Sequence, residues 1–159
     1  MNEPAPRRPE RILAFRRGDR VLGLEGRYSR EVTALAALTP VPLAPACLLG
    51  VGNLRGTLLP VIDLAPLLEL AAPPWEPSSP VHVTAVAGTA AGIAIDEVAG
   101  FDPWPGGEPL PLDPDEPAPL RSAARGWLPY RGGRVVLLDL PGVLRLARER
   151  LAAAAAVPP

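Results

Sequence analysis

The residues that could carry out chemistry are few and scattered along the 159-residue chain. Its only histidine, His82, alternates with valines in a strand-like run, and its only cysteine, Cys47, has no histidine or second cysteine as a partner. A histidine in such a run is more often structural than catalytic, and a lone cysteine is more often a buried apolar residue than a nucleophile. No Cys/His cluster has the spacing of a zinc site, so neither a metal nor another cofactor is predicted.

The carboxylates do not suggest a catalytic pair either. Asp96 and Glu97 are adjacent in a predicted strand, where neighbouring side chains point to opposite faces. Asp113, Asp115 and Glu116 lie in a proline-rich loop that lacks the pattern of a calcium-binding loop. The sequence contains no lysine, which a phosphate-binding P-loop requires, and no Gly-x-Ser-x-Gly motif. We therefore predict that the protein is not an enzyme.

The composition is that of one small domain with an aliphatic core. Hydrophobic residues make up 48% of the chain but aromatic residues only 4%, and the formal net charge of −1 argues against a dedicated nucleic-acid binder. One cysteine cannot form an internal disulfide, and no apolar run approaches the roughly 20 residues that span a bilayer. A cytoplasmic location without direct membrane insertion is predicted.

Apolar runs separated by turn residues predict a chain of short strands. Segment 26–32 is predicted to be a turn or a single helical turn, segment 38–45 a proline-rich extended loop, and segment 102–119 a long surface loop. Asp63 and Asp139 are predicted to cap helices that have a proline in the first turn. Strands are predicted over residues 12–15, 20–25, 48–54, 57–62, 81–87, 91–96, 98–101, 126–130 and 134–138.

The two halves of the chain, approximately 11–72 and 81–144, resemble each other. Segments 55–64 and 133–140 each run from a glycine-marked turn through an apolar strand to Asp-Leu, with an offset of 139 − 63 = 76 residues. Coincidence in a chain rich in Leu and Val is the alternative. We predict two related β-lobes, each a small barrel, with a groove between them. Residues 1–10 are predicted to be a flexible N-terminus, and 152–159 an Ala/Pro tail.

The stretch Thr39–Leu68, TPVPLAPACLLGVGNLRGTLLPVIDLAPLL, is similar to the signature region of CheW-like domains. In that region a proline loop leads to a Gly-Val-x-Asn-Leu-Arg-Gly turn and a Pro-Val-Ile-Asp-Leu strand end. ILAFRRGDRVLGLEGRYSREV, AAGIAIDEVAGF and GWLPYRGGRVVLLDLPGVL resemble other family elements, so the resemblance extends over about 11–146. It implies an all-β fold of two five-stranded SH3-like barrels that share a hydrophobic core, with short helices including a C-terminal one. The CheW-like domain would span 11–151.

This resemblance implies a non-enzymatic adaptor that couples methyl-accepting chemoreceptors to a CheA-type histidine kinase. One lobe would contact the regulatory domain of the kinase, and the groove between lobes would receive the cytoplasmic tip of the receptor. The adaptor would be cytoplasmic, at the periphery of membrane receptor arrays. The same adaptor role in a type IV pilus or gene-regulatory system is one alternative, and a ligand-binding or hydrolytic SH3-like barrel protein is another.

The resemblance also implies a set of partner-facing residues. In the turn of the signature region, Arg55 would offer forked donors to the receptor, although an internal salt bridge with Glu31 is an alternative. Ser29 stands where the family often has an apolar residue, and Gly52 where a bulkier one is usual. For Gly92 and Val98, structural roles are as plausible as coupling roles. The implied receptor and kinase interface consists of Glu31, Val32, Gly50, Asn53, Leu54, Arg55, Gly56, Gly92 and Val98.

Overall fold

Short strands joined by tight turns account for most of the protein, whose computed structural model describes residues 10–156. The predicted flexible N-terminus lies outside the described residues apart from Glu10, and so do residues 157–159 of the predicted tail. The elements are β1 (Arg11–Arg17), β2 (Arg20–Glu25), a 3₁₀ turn (Gly26–Tyr28), β3 (Ser29–Thr33), β4 (Leu38–Thr39), β5 (Leu48–Leu54), β6 (Thr57–Asp63), α1 (Leu64–Leu68), β7 (Val81–Val86), β8 (Thr89–Ala94), β9 (Glu97–Pro103), α2 (Ala118–Ala123), β10 (Ala124–Tyr130), β11 (Gly133–Leu138) and α3 (Leu140–Ala155).

The strands form two mixed sheets, and each sheet takes strands from both halves of the sequence. Sheet 1 has the order β10-β11-β2-β1-β9, and sheet 2 has the order β3-β7-β8-β6-β5-β4. The halves thus exchange their opening hairpins, β1–β2 and β7–β8. A parallel pair forms each junction: Val136 lies opposite Leu22 in sheet 1, and Val61 opposite Gly92 in sheet 2. The strand-dominated fold is confirmed, but sheet 2 has six strands instead of five because the two-residue β4 pairs with β5.

The similarity of the halves extends to details of the backbone. Gly50 and Gly126, 76 residues apart, both have positive φ (152° and 135°), and the strand register shifts at both. A Cβ atom at Gly50 would lie 2.7 Å from the Thr39 carbonyl oxygen, and one at Gly126 would collide with the Leu110 carbonyl. Only glycine fits where the chain crosses so closely with this φ.

A buried ion pair ties the two sheets together. Arg17, at the end of β1 in sheet 1, donates to both carboxylate oxygens of Asp63, at the end of β6 in sheet 2, at 2.8 and 2.9 Å. Asp63 also accepts the Ala65 N–H at 3.0 Å and so caps α1, as predicted. Asp96 accepts the Gly18 N–H at 2.6 Å and lies 3.5 Å from Arg17. The hydrogen bond with Asp63 raises the pKa of Arg17, so the buried guanidinium stays charged.

One cluster of buried aliphatic side chains takes members from both sheets and all three helices, which supplies the shared core predicted for the fold. The C-terminal helix α3 buries one face and leaves its arginines outside, as its apolar spacing predicts. The most deeply buried of its large side chains are Phe15, Leu22, Leu24, Leu64, Leu67, Leu68, Ile93, Ile95, Leu120, Leu138, Leu140 and Val143.

Four local predictions differ from the structure. The turn or helical turn predicted over 26–32 is present only as the 3₁₀ turn Gly26–Tyr28, and the rest of the segment belongs to the edge strand β3, because pairing with β7 organises these polar residues. The proline loop 38–45 begins with β4. The loop predicted over 102–119 is shorter at both ends. β9 extends to Pro103, and α2 starts at Ala118 with a proline in its first turn. Asp139 occupies the N-cap position of α3, but its side chain makes no capping hydrogen bond.

Candidate protein-docking site

The segment Asn53–Gly56 forms the exposed turn between β5 and β6. Arg55 and Gly56 both have positive φ (48° and 87°), the conformation of a two-residue hairpin turn that matches strand twist. The Asn53 side chain closes the turn, because its Oδ1 accepts the Gly56 N–H at 2.8 Å. The backbone therefore fixes the direction in which Arg55 leaves the hairpin.

Arg55 pairs with Glu31 of the edge strand β3. The guanidinium donates to both carboxylate oxygens, to Oε1 at 3.1 Å and to Oε2 in a shorter contact. The hydrogen bond from Arg55 lowers the pKa of Glu31, so the pair is ionised at neutral pH. The side chains remain 69% and 34% exposed, so the pair stays accessible to a partner. The internal salt bridge considered as an alternative is thus present, and it leaves donor capacity on Arg55.

This pair joins elements that are far apart in the order of sheet 2. β3 is one edge strand, and two strands separate it from β6. A contact between Glu31 and Arg55 therefore requires sheet 2 to curl back on itself. Sheet 1 does the same, since Arg131 of the β10–β11 turn bonds Asp102 and the Ala99 carbonyl on its edge strand β9.

Val32 follows Glu31 on the edge strand β3 and is exposed, with its side chain on the opposite face of the strand from Glu31. On the neighbouring strand β7, His82 is fully buried and its Nε2 lies 2.8 Å from the Ser29 hydroxyl. His82 Nδ1 has no partner among the described residues. Burial lowers the pKa of His82 to about 4, so the imidazole is neutral at physiological pH. Ser29, the departure from the family pattern, thus anchors β3 to β7.

Two of the predicted interface glycines are buried. Gly50 occupies the bulge that passes the Thr39 carbonyl, and Gly92 lies on β8 inside sheet 2. A Cβ atom at Gly92 would be 2.6 Å from Val81 Cγ1, and the equivalent Gly23 of sheet 1 is packed in the same way against Ile12. Neither Gly50 nor Gly92 has a side chain that could contact a partner. Both affect the surface only indirectly, through the conformation and packing of the strands below it.

Replacing Gly92 with alanine is expected to reduce the free energy of unfolding by about 1–3 kcal/mol, because the added methyl group overpacks the interior. Gly133→Ala is the matched control, since its nearest neighbour would lie at 3.7 Å, and it should change stability by less than about 0.5 kcal/mol. Urea denaturation of both variants measures the difference. Equal stabilities would show that Gly92 is not sterically required.

The remaining predicted residue, Val98, belongs to the other sheet. It lies on the edge strand β9 and is 41% exposed. The structure therefore gathers Asn53, Leu54, Arg55, Gly56, Glu31 and Val32 at one end of sheet 2, while Val98 belongs to an edge of sheet 1.

Sequence reasoning missed the most exposed apolar residues of the surface. Leu43 is 93% exposed, and Leu58 on β6 is 71% exposed. Leu43 follows Pro42 in a turn closed by the Ala44 N–H and the Val41 carbonyl at 3.2 Å, and its φ is +61°. Glycine or asparagine usually occupies such a position, and a leucine there costs about 1 kcal/mol or more. The Pro-Leu pair in the proline loop was the sequence signal that could have indicated this turn.

The residues first considered as candidates for catalysis have structural roles. Cys47 is buried, and burial raises the pKa of its thiol. Asp96 bonds Gly18 and Arg17, while the neighbouring Glu97 pairs with Arg16 at 3.1 Å on the opposite side of the strand. Within residues 10–156, no group of three or more His, Cys, Asp or Glu side chains is arranged to hold a metal ion. In the same range, no helix has the length and apolar character needed to cross a membrane.

Comparison with known proteins agrees with this geometry. The family model of the CheW-like domain matches residues 11–148. The chain is 33% identical over 143 residues to the chemotaxis protein CheW of Rhizobium meliloti (strain 1021), covering 89% of this chain and 91% of that protein. It is 32% identical over 154 residues to protein FrzA of Myxococcus xanthus, covering 94% of each.

The fold agrees with a solved structure, that of the scaffolding protein TtCheW from Thermoanaerobacter tengcongensis. The TM-score is 0.72 at 23% identity, covering 83% of this chain and 90% of that chain. The chain is a small strand-based adaptor and not an enzyme. It belongs to the CheW-like domain family, whose members include coupling proteins of chemotaxis.

Proposed function

We propose that this protein couples the cytoplasmic tips of methyl-accepting chemoreceptors to the regulatory domain of a CheA-type histidine kinase. Residues 11–151 would act as one unit at the cytoplasmic periphery of a receptor array. The observation that carries the proposal is the accessible Arg55–Glu31 pair at one end of sheet 2, with exposed Val32 on the same edge strand. The strained, exposed Leu43 lies in the loop between β4 and β5, at the other end of β5 from the Asn53–Gly56 turn, and offers a second, separate contact. Exposed polar and apolar groups at separate positions suit a scaffold better than a catalyst.

The receptor is proposed to bind at the Asn53–Gly56 turn and the adjacent edge strand β3. Arg55 holds Glu31 yet is largely exposed, so its remaining N–H donors can reach carbonyls or carboxylates of a helical tip. Val32 would supply apolar contact from the other face of the same edge strand. Because the turn and β3 are tied by side chains, a receptor would meet a surface that is already ordered.

The kinase domain is proposed to bind at the turn that carries Leu43. Leu43 has a positive φ that glycine would adopt without strain, and strained residues occur preferentially at functional positions. An almost fully exposed leucine can insert into an apolar depression of a partner domain. Several modest interfaces of this kind become strong when receptor, adaptor and kinase are linked in one lattice.

Leu43→Gly is expected to weaken binding to the isolated kinase regulatory domain about tenfold, the usual effect of removing a buried apolar anchor. The same variant should be no less stable than the wild type, because glycine relieves the positive φ. Calorimetric titration and thermal unfolding give both quantities. Leu110→Ser, an exposed leucine next to sheet 1, is the control and should bind normally. Unchanged affinity of Leu43→Gly would contradict the assignment of this turn.

A further inference from the structure

The strand β9 forms one edge of sheet 1, so one side of its backbone is not paired with another strand. It is seven residues long, and among the described strands it pairs with β1. Edge strands of this length are prone to association, because their outward N–H and C=O groups can pair with a strand of another molecule. The central residues Val98–Phe101 carry no charge that would oppose such pairing.

The register with β1 identifies the backbone groups on the open side of β9. The Trp104 N–H, just beyond the strand, donates to the Glu10 carbonyl at 3.0 Å. Hydrogen bonds to an antiparallel neighbour recur at every second residue, so the N–H groups two and four residues earlier also point towards β1. In a trans peptide the carbonyl points away from the N–H that follows it. The carbonyls of Ala99 and Phe101 therefore point to the open side.

Two arginine side chains occupy these outward carbonyls. Arg131 Nη1 donates to the Ala99 carbonyl at 2.8 Å, and Arg11 Nη2 donates to the Phe101 carbonyl at 2.7 Å. At the end of the strand, Pro103 has no N–H to donate. The two acceptors that an added strand would need are thus already bonded within the chain.

Each of the two guanidinium groups is held by a second contact. Arg131 Nη2 donates to Asp102 Oδ1 at 3.0 Å. The hydrogen bonds from Tyr130 and Arg131 lower the pKa of Asp102, so this carboxylate is ionised at neutral pH. Arg11 Cζ lies 4.3 Å from the centre of the Phe101 ring, a cation–π contact. Both arginines are therefore fixed over the strand and are not merely near it.

The other sheet edges are protected by different means. The edge strand β4 has only two residues. Beside β10, Leu110 exchanges both backbone hydrogen bonds with Trp127, at 2.8 and 2.9 Å. At the start of β3, Arg30 donates to the carbonyls of Arg27 and Ser29 at 3.0 and 3.2 Å. Bonds from guanidinium groups to main-chain carbonyls thus occur at an edge strand of both sheets.

We infer that Arg11 and Arg131 prevent the β9 edge from pairing with the β9 edge of a second copy of this chain. Two copies of one edge strand can pair antiparallel about a twofold axis, so the same surface supplies both sides of the contact. In the proposed receptor array the protein is held at high local concentration, where an open edge would join the sheets of neighbouring copies. The inference goes beyond the receptor and kinase contacts, since it concerns this chain alone.

The test compares two double variants of the full chain. Arg11→Ala with Arg131→Ala opens the edge. Arg145→Ala with Arg148→Ala is the matched control, because it removes the same charge from exposed positions on α3. Sedimentation velocity over a range of concentrations should give a self-association constant at least about tenfold larger for the first variant than for the control. Residue-resolved hydrogen exchange should show that the outward Phe101 amide becomes protected as the first variant associates.

Self-association no stronger than that of the control would overturn the inference. Association that leaves the Phe101 amide unprotected would also overturn it, because a different surface would then be responsible. Thermal unfolding establishes that each variant is folded.

The single variant Arg11→Ala keeps the test decisive if the loss of Arg131 and its contact with Asp102 prevents folding. Arg11 has no ion-pair partner among the described residues, so its removal leaves that contact in place, and it should raise the self-association constant about threefold. An unchanged constant would contradict the inference. These measurements need neither receptor nor kinase, so their failure is distinguishable from failure of the proposed function.

Discussion

Replacing Asp63 with alanine is expected to lower the free energy of unfolding by about 3–5 kcal/mol, more than any other single substitution considered for this protein. The change leaves the buried guanidinium of Arg17 without its bidentate partner. It also removes the cap of α1, a further contribution of about 1 kcal/mol. Both losses occur where sheet 1 meets sheet 2. The whole urea-induced unfolding transition should therefore shift to lower urea concentration.

The repeat provides a matched control for this prediction. Asp139 precedes α3 as Asp63 precedes α1, but its side chain is only half-buried and makes no capping hydrogen bond. Asp139→Ala should therefore cost less than about 1 kcal/mol. If the two alanine variants were equally stable, the buried ion pair would not be what joins the sheets.

Acidification from pH 7 to pH 5 is expected to remove about 2 kcal/mol of stability through His82 alone. Burial lowers the pKa of His82 to about 4, whereas the unfolded chain titrates near 6.5. The unfolded state therefore binds a proton first as the pH falls. The stabilisation by the neutral imidazole is complete above pH 6.5 and is lost progressively as the pH falls towards 4.

His82→Val removes this titration and keeps a strand-forming side chain in β7. Urea denaturation of wild type and variant at several pH values isolates the contribution of the histidine, because the carboxylates titrate in both proteins. The wild type should lose stability relative to the variant by the stated amount between pH 7 and pH 5. Parallel stability profiles would mean that the imidazole is protonated in the folded state as readily as in the unfolded one.

Local features of the fold could be predicted from the sequence because their causes are local. The β1–β2, β5–β6 and β10–β11 hairpins follow from apolar runs around glycine-marked turns, and Asp63 precedes a proline-started helix as a cap should. The edge strand β3 was missed because its residues are polar and depend on pairing with β7.

The exchange of hairpins could not be predicted in the same way. Similar sequences in the two halves indicate that the units repeat, but they do not say which strands pair. The parallel pairs β2–β11 and β6–β8 join segments far apart in the chain, and their partners are decided by the shared core. The division at 11–72 and 81–144 describes the repeat, whereas each sheet combines the two parts.

The docking site was predictable in part for a similar reason. The turn Asn53–Gly56 and its contact with Glu31 could be named from the motif, because hairpin geometry limits where Arg55 can reach. Burial could not be read from the motif, so the buried Gly92 was grouped with accessible residues. The exposure and strain of Leu43 depend on a turn that only the folded chain shows.

The central claim is that this protein bridges a receptor and a kinase, and the most direct measurement is reconstitution. Membrane vesicles carrying a chemoreceptor are mixed with full-length CheA-type kinase, with and without this protein, and sedimented. We predict that the kinase sediments with the vesicles only when this protein is present, and that receptor ligand then changes kinase activity. A kinase that sediments equally well without this protein, or that stays in the supernatant with it, would contradict the claim.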